Sequence, residues 1–543
     1  MYGFSISKKG IITNNYYEKI GLYEEPDPQG VYVLIRKIGN EIILNQDYYG
    51  NFGIYIYENK ETGYFSLSNS FLLLEEYLSG KYNMSFNKDF ADNFIISELC
   101  SPSIHETLIK EIIKLVPNAF IIININLKKL TINYKNQEDN TVPLESEEGL
   151  KLIDNWVNKW AYIFRSLKKK TDNISCDLSG GFDTRIVLSI LLNSGIDLND
   201  ILIASTNDKV HVHEEDYKIA SKIASAYGFK LNGKKLDNEG IKWDFRDSII
   251  SSIYSKLGFH KELYFKSGFL NKPRFSFTGA GGGMLRGYPS LPFNKYIESI
   301  SSQGGQIKGY EKIFYNSSVR LLNRSMALLK NEKYNLNDYQ LSTILYLYGR
   351  GRNHFGKASL ESFLANIYIL DPLMDPEIKK IKFNINRNNT HDLIAYLYVR
   401  FAHDLINFPI QGKRKLNQKS IKKAEKLNTL IKFDKKELDY NENFYIDNNR
   451  KSPVNSKEIN QDIYEYLKRL IEQKEFVHII NKVYNNSVYN WTLDNIRKSN
   501  YFPLRHGYAL LAIAKIIEDL SRGKNKIKNL DNKSIKWNII NQV

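Results

Sequence analysis

The residues with most chemical potential stand together at Ser179-Gly180-Gly181-Phe182-Asp183-Thr184. They join a short apolar run, residues 174–178, to a segment from Phe182 to Ser194 in which Ile186, Val187, Ile190 and Leu191 have helical spacing. Glycines at such a helix start leave backbone N–H groups exposed where the helix dipole favours an anion. A plain tight turn with an acid in the first helical turn has the same local appearance, so the rest of the chain must decide. Two other strand ends carry unusual tips. The run ILIAST (201–206) ends in Ala204-Ser205-Thr206, and RFSFTG (274–279) opens into Thr278-Gly279-Ala280-Gly281-Gly282-Gly283-Met284-Leu285-Arg286-Gly287-Tyr288. Glycines at two tips let backbone approach a ligand closely. Neither loop is followed by the Gly-Lys-Ser/Thr of a Walker loop, and neither fits the dinucleotide fingerprint.

Other clusters are weaker. His211-Val-His213-Glu214-Glu215-Asp216 could ligate a metal, but its acids fit better as the negative first turn of a helix Glu214–Tyr227. Arg350, Arg352 and His354 are candidate substrate contacts, from their place just before Asp371-Pro-Leu-Met-Asp375. Cys100 and Cys176 are the two cysteines, too few for a disulfide framework or a zinc cluster.

The elements that must position these residues fall into three regions. Residues 1–140 are rich in short β-type runs (GVYVLIRKI, NEIILNQ, FGIYIYE, NAFIIININL), with a helical patch at Phe71–Leu78, and read as a mostly antiparallel domain. Residues 141–410 begin with strands alternating with helices, including a helix Ser146–Leu167 with Ser146 as N-cap. That pattern implies a parallel sheet with ligands at its carboxyl edge. Residues 411–543 begin with a Lys/Asn-rich stretch, 413–452, read as a mobile excursion, and continue to a closing helix at 502–520. The 543 residues carry a formal charge of +16, but the lysines are dispersed and accompany abundant Asn, Ile and Tyr, as a biased genome produces; no nucleic-acid partner is expected. The first twenty residues lack a signal-peptide core and no apolar run approaches bilayer length, so no membrane span is expected and the default compartment is the cytoplasm.

Taken in order, the motifs resemble the asparagine synthetase family. Ser-Gly-Gly-x-Asp-Thr after a strand is similar to the pyrophosphate-binding loop of ATP pyrophosphatases, and TGAGGGMLRGY (278–288) resembles the family's second nucleotide-site motif. Asp47-Tyr-Tyr-Gly50, FSLSNS (65–70) and HETLIKEIIKLVPNAFIIIN (105–124) resemble parts of its glutaminase-like domain, and Asp371-Pro-Leu-Met-Asp-Pro376 its Pro-Phe-Leu-Asp signature. The resemblance spans roughly residues 30 to 380. It implies an α/β protein: an N-terminal Ntn-type αββα sandwich, then an adenine nucleotide alpha hydrolase-like parallel sheet domain with a helical C-terminal extension.

It also implies ATP and Mg²⁺ as cofactors and AMP-forming synthesis of an amide from a small-molecule, peptide or sugar carboxylate and an amine or ammonia. Ser179, Gly180, Gly181 and Thr184 would hold phosphate and Asp183 the metal; Ala204, Ser205 and Thr206 would line the adenosine pocket; Gly279 and Gly281 match glycines of the second motif. Departures accompany the matches. The family's functional side chains are replaced by Ala280 and Gly283, and Tyr368 stands at its general-base Glu, with Asp371, Asp375 and Glu361 as nearby acids. Lys413 and Lys415 are candidates for its catalytic lysine. Tyr2 replaces the N-terminal cysteine of glutamine-hydrolysing relatives, so no glutaminase activity is expected. The departures keep two alternatives in view. One is a non-catalytic nucleotide- or partner-binding member. The other is an RNA-modifying ligase, disfavoured because tRNA-modifying relatives lack this amino-terminal domain.

Overall fold

The computed structural model describes residues 1–7, 10–13, 29–96, 103–135, 142–208, 211–242, 268–285, 291–301, 307–331, 337–382 and 391–432, with the helix Asn486–Lys498 and a few single positions between 474 and 516. The amino-terminal part builds two antiparallel sheets. Strands β1 (Tyr2–Ser7), β2 (Gly10–Thr13), β3 (Gln29–Ile38), β4 (Glu41–Gln46), β5 (Tyr55–Asn59), β6 (Tyr64–Ser68), β7 (Ile112–Lys114), β8 (Ala119–Asn124) and β9 (Lys129–Tyr134) divide into a sheet ordered β2-β1-β3-β4-β8-β9 and a smaller one ordered β6-β5-β7. β-Branched and aromatic residues favour this pleated, half-buried setting. Phe4, Ile6, Val31, Val33, Leu44 and Ile121 from the large sheet join Ile54 and Ile56 beside the small one in a common core. Helix α1 (Phe71–Leu78) packs on the small sheet; the Ser70 hydroxyl caps it by accepting from the Leu73 amide. Helix α2 is Lys88–Ile96.

The next part alternates. Helix α3 (Glu147–Lys170) leads to β10 (Ile174–Asp177), α4 (Phe182–Ser194), β11 (Leu202–Ala204) and α5 (His211–Tyr227). A two-stranded pair, β12 (Gly240–Lys242) with β13 (Gly268–Leu270), precedes β14 (Arg274–Phe277) and β15 (Ile367–Leu370). Strands β11-β10-β14-β15 form one parallel sheet in that order. The expected N-cap holds: the Ser146 hydroxyl accepts from the Gly149 amide, with Glu147 and Glu148 in the first turn and Lys168–Lys170 in the last, as the dipole favours. Helix α5 begins at His211, three residues before the expected start, and α3 extends three residues beyond its expected end.

Helix α3 is the main packing element on the sheet. Trp156 and Trp160 are fully buried, and the Phe164 ring stacks on Phe277 at 3.5 Å. The two indoles also pin the segment after β15: Trp156 Nε1 donates to Pro372 O (3.2 Å) and Trp160 Nε1 to Asp375 Oδ2 (2.8 Å). The stretch expected as a mobile excursion departs from expectation. Within it lies a helix, Gln418–Asn428, whose Ile421, Ala424 and Leu427 are buried and which packs on helix Asp392–Phe401. The Lys-rich composition masked an apolar stripe at positions i, i+3 and i+6, narrow but sufficient to dock. Residues 433–452, most of the expected closing helix at 502–520, Cys100 and residues 286–288 of the second glycine loop lie outside the described residues.

Antiparallel and parallel parts are continuous with each other. Phe4 packs on Phe363 and Tyr368, Gln29 Nε2 donates to Asp371 O (2.9 Å), and Asn93 Nδ2 donates to Ser318 Oγ (2.5 Å). Arg324 bonds both Glu106 (2.7 Å) and Asp89 (3.1 Å). The molecule is thus mixed α/β, and no helix among the described residues is long and apolar enough to cross a membrane.

Candidate functional site

The parallel sheet collects the expected loops at its carboxyl edge. The Ser179–Thr184 loop turns β10 into α4; Gly181 is the N-cap of that helix and makes no side-chain capping bond. The loop is braced internally. The Ser179 amide donates to Thr184 Oγ1 (3.0 Å) and the Gly181 amide to Ser179 Oγ (3.1 Å). The Gly180 amide donates to Asp216 Oδ1 (2.8 Å). A Cβ at residue 180 would fall 2.7 Å from that carboxylate oxygen and 2.8 Å from Ile219 Cδ1, so a larger residue would displace both side chains.

The second glycine loop lies directly on the first. A Cβ on Gly279 would stand 2.8 Å from the Thr184 amide nitrogen, and one on Gly282 would stand 2.0 Å from Asp183 Cγ. The Asp183 carboxylate is therefore cradled against bare backbone. Gly281, at φ +90°, abuts Met374 and Leu373 O of the segment after β15. Sequence positions separated by about a hundred residues are thus one contiguous surface. On the neighbouring strand, Ala204 pairs with Asp177, and the Leu178 amide donates to Ala204 O (2.8 Å). Asn232 holds Ser205 at both ends of its backbone unit (3.0 and 2.9 Å), Ser205 Oγ is buried without a hydrogen-bond partner, and Thr206 is exposed.

A third segment arrives from far along the chain. The Gln411 amide donates to Gly180 O (3.0 Å) and the Gly412 amide to Glu215 Oε1 (3.0 Å). The buried Arg185 ties Gly180 O (3.0 Å) to Pro409 O and Phe408 O. This brings the turn Gln411–Lys413 onto the Ser179–Thr184 loop, with Lys415 exposed beside it and the Arg414 guanidinium 5.8 Å from the centre of the Phe182 ring.

The acids sort themselves. Asp177 and Asp371 follow one another along the carboxyl edge with Thr278 between their strands. Asp177 is solvent-exposed, whereas Asp371 is buried and accepts from the Thr278 hydroxyl. Burial, reinforced by the Asp177 charge and opposed by Thr278, pushes the Asp371 carboxyl up to about 7. Asp375 is instead engaged structurally, accepting from Trp160 and from the buried Lys159 (2.9 Å). Tyr368 lies in the aromatic core, stacked on Phe275 (5.0 Å) and edge-on to Phe4 and Phe363. Glu361 is buried in helix Lys357–Leu364.

The His/acid cluster disperses along α5: His213 meets Asp208 (2.8 Å), Glu214 meets Lys218 (2.5 Å), and Glu215 and Asp216 serve the two backbone contacts above. Among the described residues no three His, Cys, Asp or Glu side chains group as a metal site. Cys176 is buried in β10, and burial holds its thiol well above its usual range. Tyr2 opens β1 against Phe52 and Phe363. Sequence reading missed Asp177, Arg185 and Gln411. For Asp177 the signal was its position, since it ends strand β10 two residues before the Ser179–Thr184 loop, at the carboxyl edge where parallel sheets bind ligands. For the other two no local signal exists. Compared with known protein families and with curated proteins, the chain matches none.

Proposed function

We propose that the chain is an ATP-dependent, AMP-forming amide ligase in the manner of the asparagine synthetases, without glutaminase activity, its two antiparallel sheets serving as an Ntn-like αββα scaffold. The observation that supports this most is the contact between two glycine loops at an uncapped helix start, with a third, basic segment anchored to the same backbone. Such a surface offers anion-binding N–H groups where charge develops on phosphate oxygens. Ser179, Gly180, Gly181 and Thr184 would bind phosphate; the Ser179 and Thr184 hydroxyls now satisfy loop amides and can turn to a ligand. Ala204, Ser205 and Thr206 would border the adenosine, with the buried Ser205 hydroxyl as donor.

The donor set also fits Mg²⁺, which takes one or two carboxylates and completes its shell with phosphate oxygens and water. Asp183 would hold it at the loop, and when bound the ion neutralises charge on those oxygens. In the reaction, a substrate carboxylate oxygen attacks the α-phosphorus of ATP, pyrophosphate leaves, and an amine attacks the acyl-adenylate carbonyl, giving amide and AMP. Asp371 takes the role of general base that Tyr368 cannot fill, accepting the proton the attacking amine must lose. Arg414, together with Lys413 or Lys415, supplies positive charge beside the loop. A second reading, nucleotide binding without catalysis, draws on Ala280, Gly283 and Tyr368, none of which offers an acid.

Pyrophosphate exchange into ATP, run with Mg²⁺ and a panel of carboxylates, separates the two. Exchange that Asp183→Ala reduces by about a hundredfold or more supports the ligase. ATP binding by calorimetry without exchange supports the second reading, and no ATP binding sinks both.

A further inference from the structure

The carboxyl edge leaves a second charged centre unused. It lies where the amino-terminal sheets meet the π-helix Leu347–Gly356 and the helix that continues it, Lys357–Leu364. Arg352 projects from that π-helix into the interior and is wholly buried, and its Nε, Nη1 and Nη2 all lack a hydrogen-bond partner. A guanidinium carries five N–H donors and stays protonated even where burial lowers its pKa to about 10, as here. Burying such a group with nothing to accept from it costs several kcal/mol. Among the described residues the Asp47 carboxylate acts on it, and Asp47 already accepts from the Asn51 and Phe52 amides (2.9 Å each), one on each oxygen.

Two lysines converge on the same turn. Lys114 Nζ donates to Asn353 Oδ1 (2.6 Å) and Lys357 Nζ to Phe52 O (3.3 Å). A Cβ on Gly53 would lie 3.1 Å from Lys357 Nζ and 3.3 Å from Lys114 Cε, so both stems close on that glycine. Burial, then the fields of Arg352 and Lys357, push the Lys114 amine well below its usual range, with Asp47 opposing, so Lys114 tends to the neutral form and the charge rests on Arg352 and Lys357. Asp47, Lys114, Arg352 and Lys357 are each 1% exposed or less, so whatever meets Arg352 is small, enters with folding and leaves slowly. Water would fill the hydrogen-bonding gap but adds no negative charge to that of Asp47, which faces both Arg352 and Lys114.

We infer that Arg352, flanked by Lys114 and Lys357, binds a small monovalent inorganic anion of halide size, locked between the antiparallel sheets and the π-helix. The site is separate from the proposed nucleotide site, and its test does not depend on activity.

The full chain is purified in sodium chloride, dialysed exhaustively into sodium gluconate, and unfolded in chloride-free urea; ion chromatography then counts released anions. About one chloride per chain is expected. Release of no anion, or of sulphate or phosphate in its place, overturns the proposal. In parallel, the wild-type melting temperature is followed as chloride replaces gluconate at constant ionic strength. It should rise by several degrees, in proportion to the logarithm of the chloride concentration once that exceeds the dissociation constant, and a flat response overturns the proposal. Arg352→Met should abolish both the released chloride and the chloride dependence. If that variant does not fold, crystals grown in bromide decide instead: an anomalous peak beside Arg352 supports the site, and its absence refutes it.

Discussion

At the residue scale, the informative contrast is between two aspartates four positions apart. Asp375 is neutralised by Lys159 and held by Trp160, so it has no capacity for chemistry. Asp371 has a hydroxyl partner and an acid neighbour, and its carboxyl is pushed up to about 7. A group raised in the folded state holds its proton where the unfolded chain has lost it. Its contribution to stability is therefore present below the ordinary carboxylate pKa and declines as pH rises from about 4 through 7. Asp371→Asn, which imitates the protonated form, should match the wild type in thermal stability at pH 4 and exceed it at pH 8, by an amount on the order of a few kcal/mol. The same variant should lose most amide synthesis, because a base must be deprotonated to act. Wild-type rates should climb through pH 7 and the residual rate of Asp371→Asn should not. A pH–rate profile beside a pH–melting series reads both, and equal behaviour of the two proteins would remove Asp371 from the mechanism. Asp375→Ala, by contrast, should cost about 3–5 kcal/mol at neutral pH by removing the carboxylate that pairs with the buried Lys159 and accepts from Trp160, measurable by urea denaturation.

At the element scale, function depends on how closely bare backbone can approach bare backbone. Gly282→Ala places a methyl where Asp183 Cγ stands, so the carboxylate must leave its cradle. ATP affinity should fall by about tenfold or more, with little loss of helical circular dichroism. An unchanged dissociation constant would show that the cradle has no part in binding. Much at this scale was legible in advance. Helix α4 has the expected bounds Phe182–Ser194, α1 the expected bounds Phe71–Leu78, and Ser146 caps α3, because each rests on short-range apolar spacing and capping chemistry. What was not legible was the helix Gln418–Asn428, hidden by its lysines. Equally hidden was the attachment of Gln411 to the first loop and of Gly412 to Glu215 in α5, since hydrogen bonds between residues so distant in the chain leave no local trace.

At the scale of the whole molecule, one large hydrophobic cluster among the described residues runs from Phe4 through Trp160 and Tyr368 to Leu427, so the antiparallel part does not read as an appendage. Separately expressed halves, cut between residues 135 and 142, should be insoluble or molten. The intact chain should unfold its described body in one calorimetric transition; two well-separated transitions would contradict the shared core. From its own order of residues the chain determined that two glycine-rich strand tips and a small-residue tip would exist, and that a β-rich region would precede an alternating one. Those properties follow from local periodicity, glycine placement and helix starts. Tertiary structure alone decided that the two glycine loops touch, that Arg185 and Gln411 brace the first of them, that Tyr368 packs in the aromatic core while Asp371 meets Thr278, and that Arg352 is interior. Each of those outcomes depends on which distant side chain fills the space beside a group, and burial, unlike spacing, is a property only the folded chain possesses.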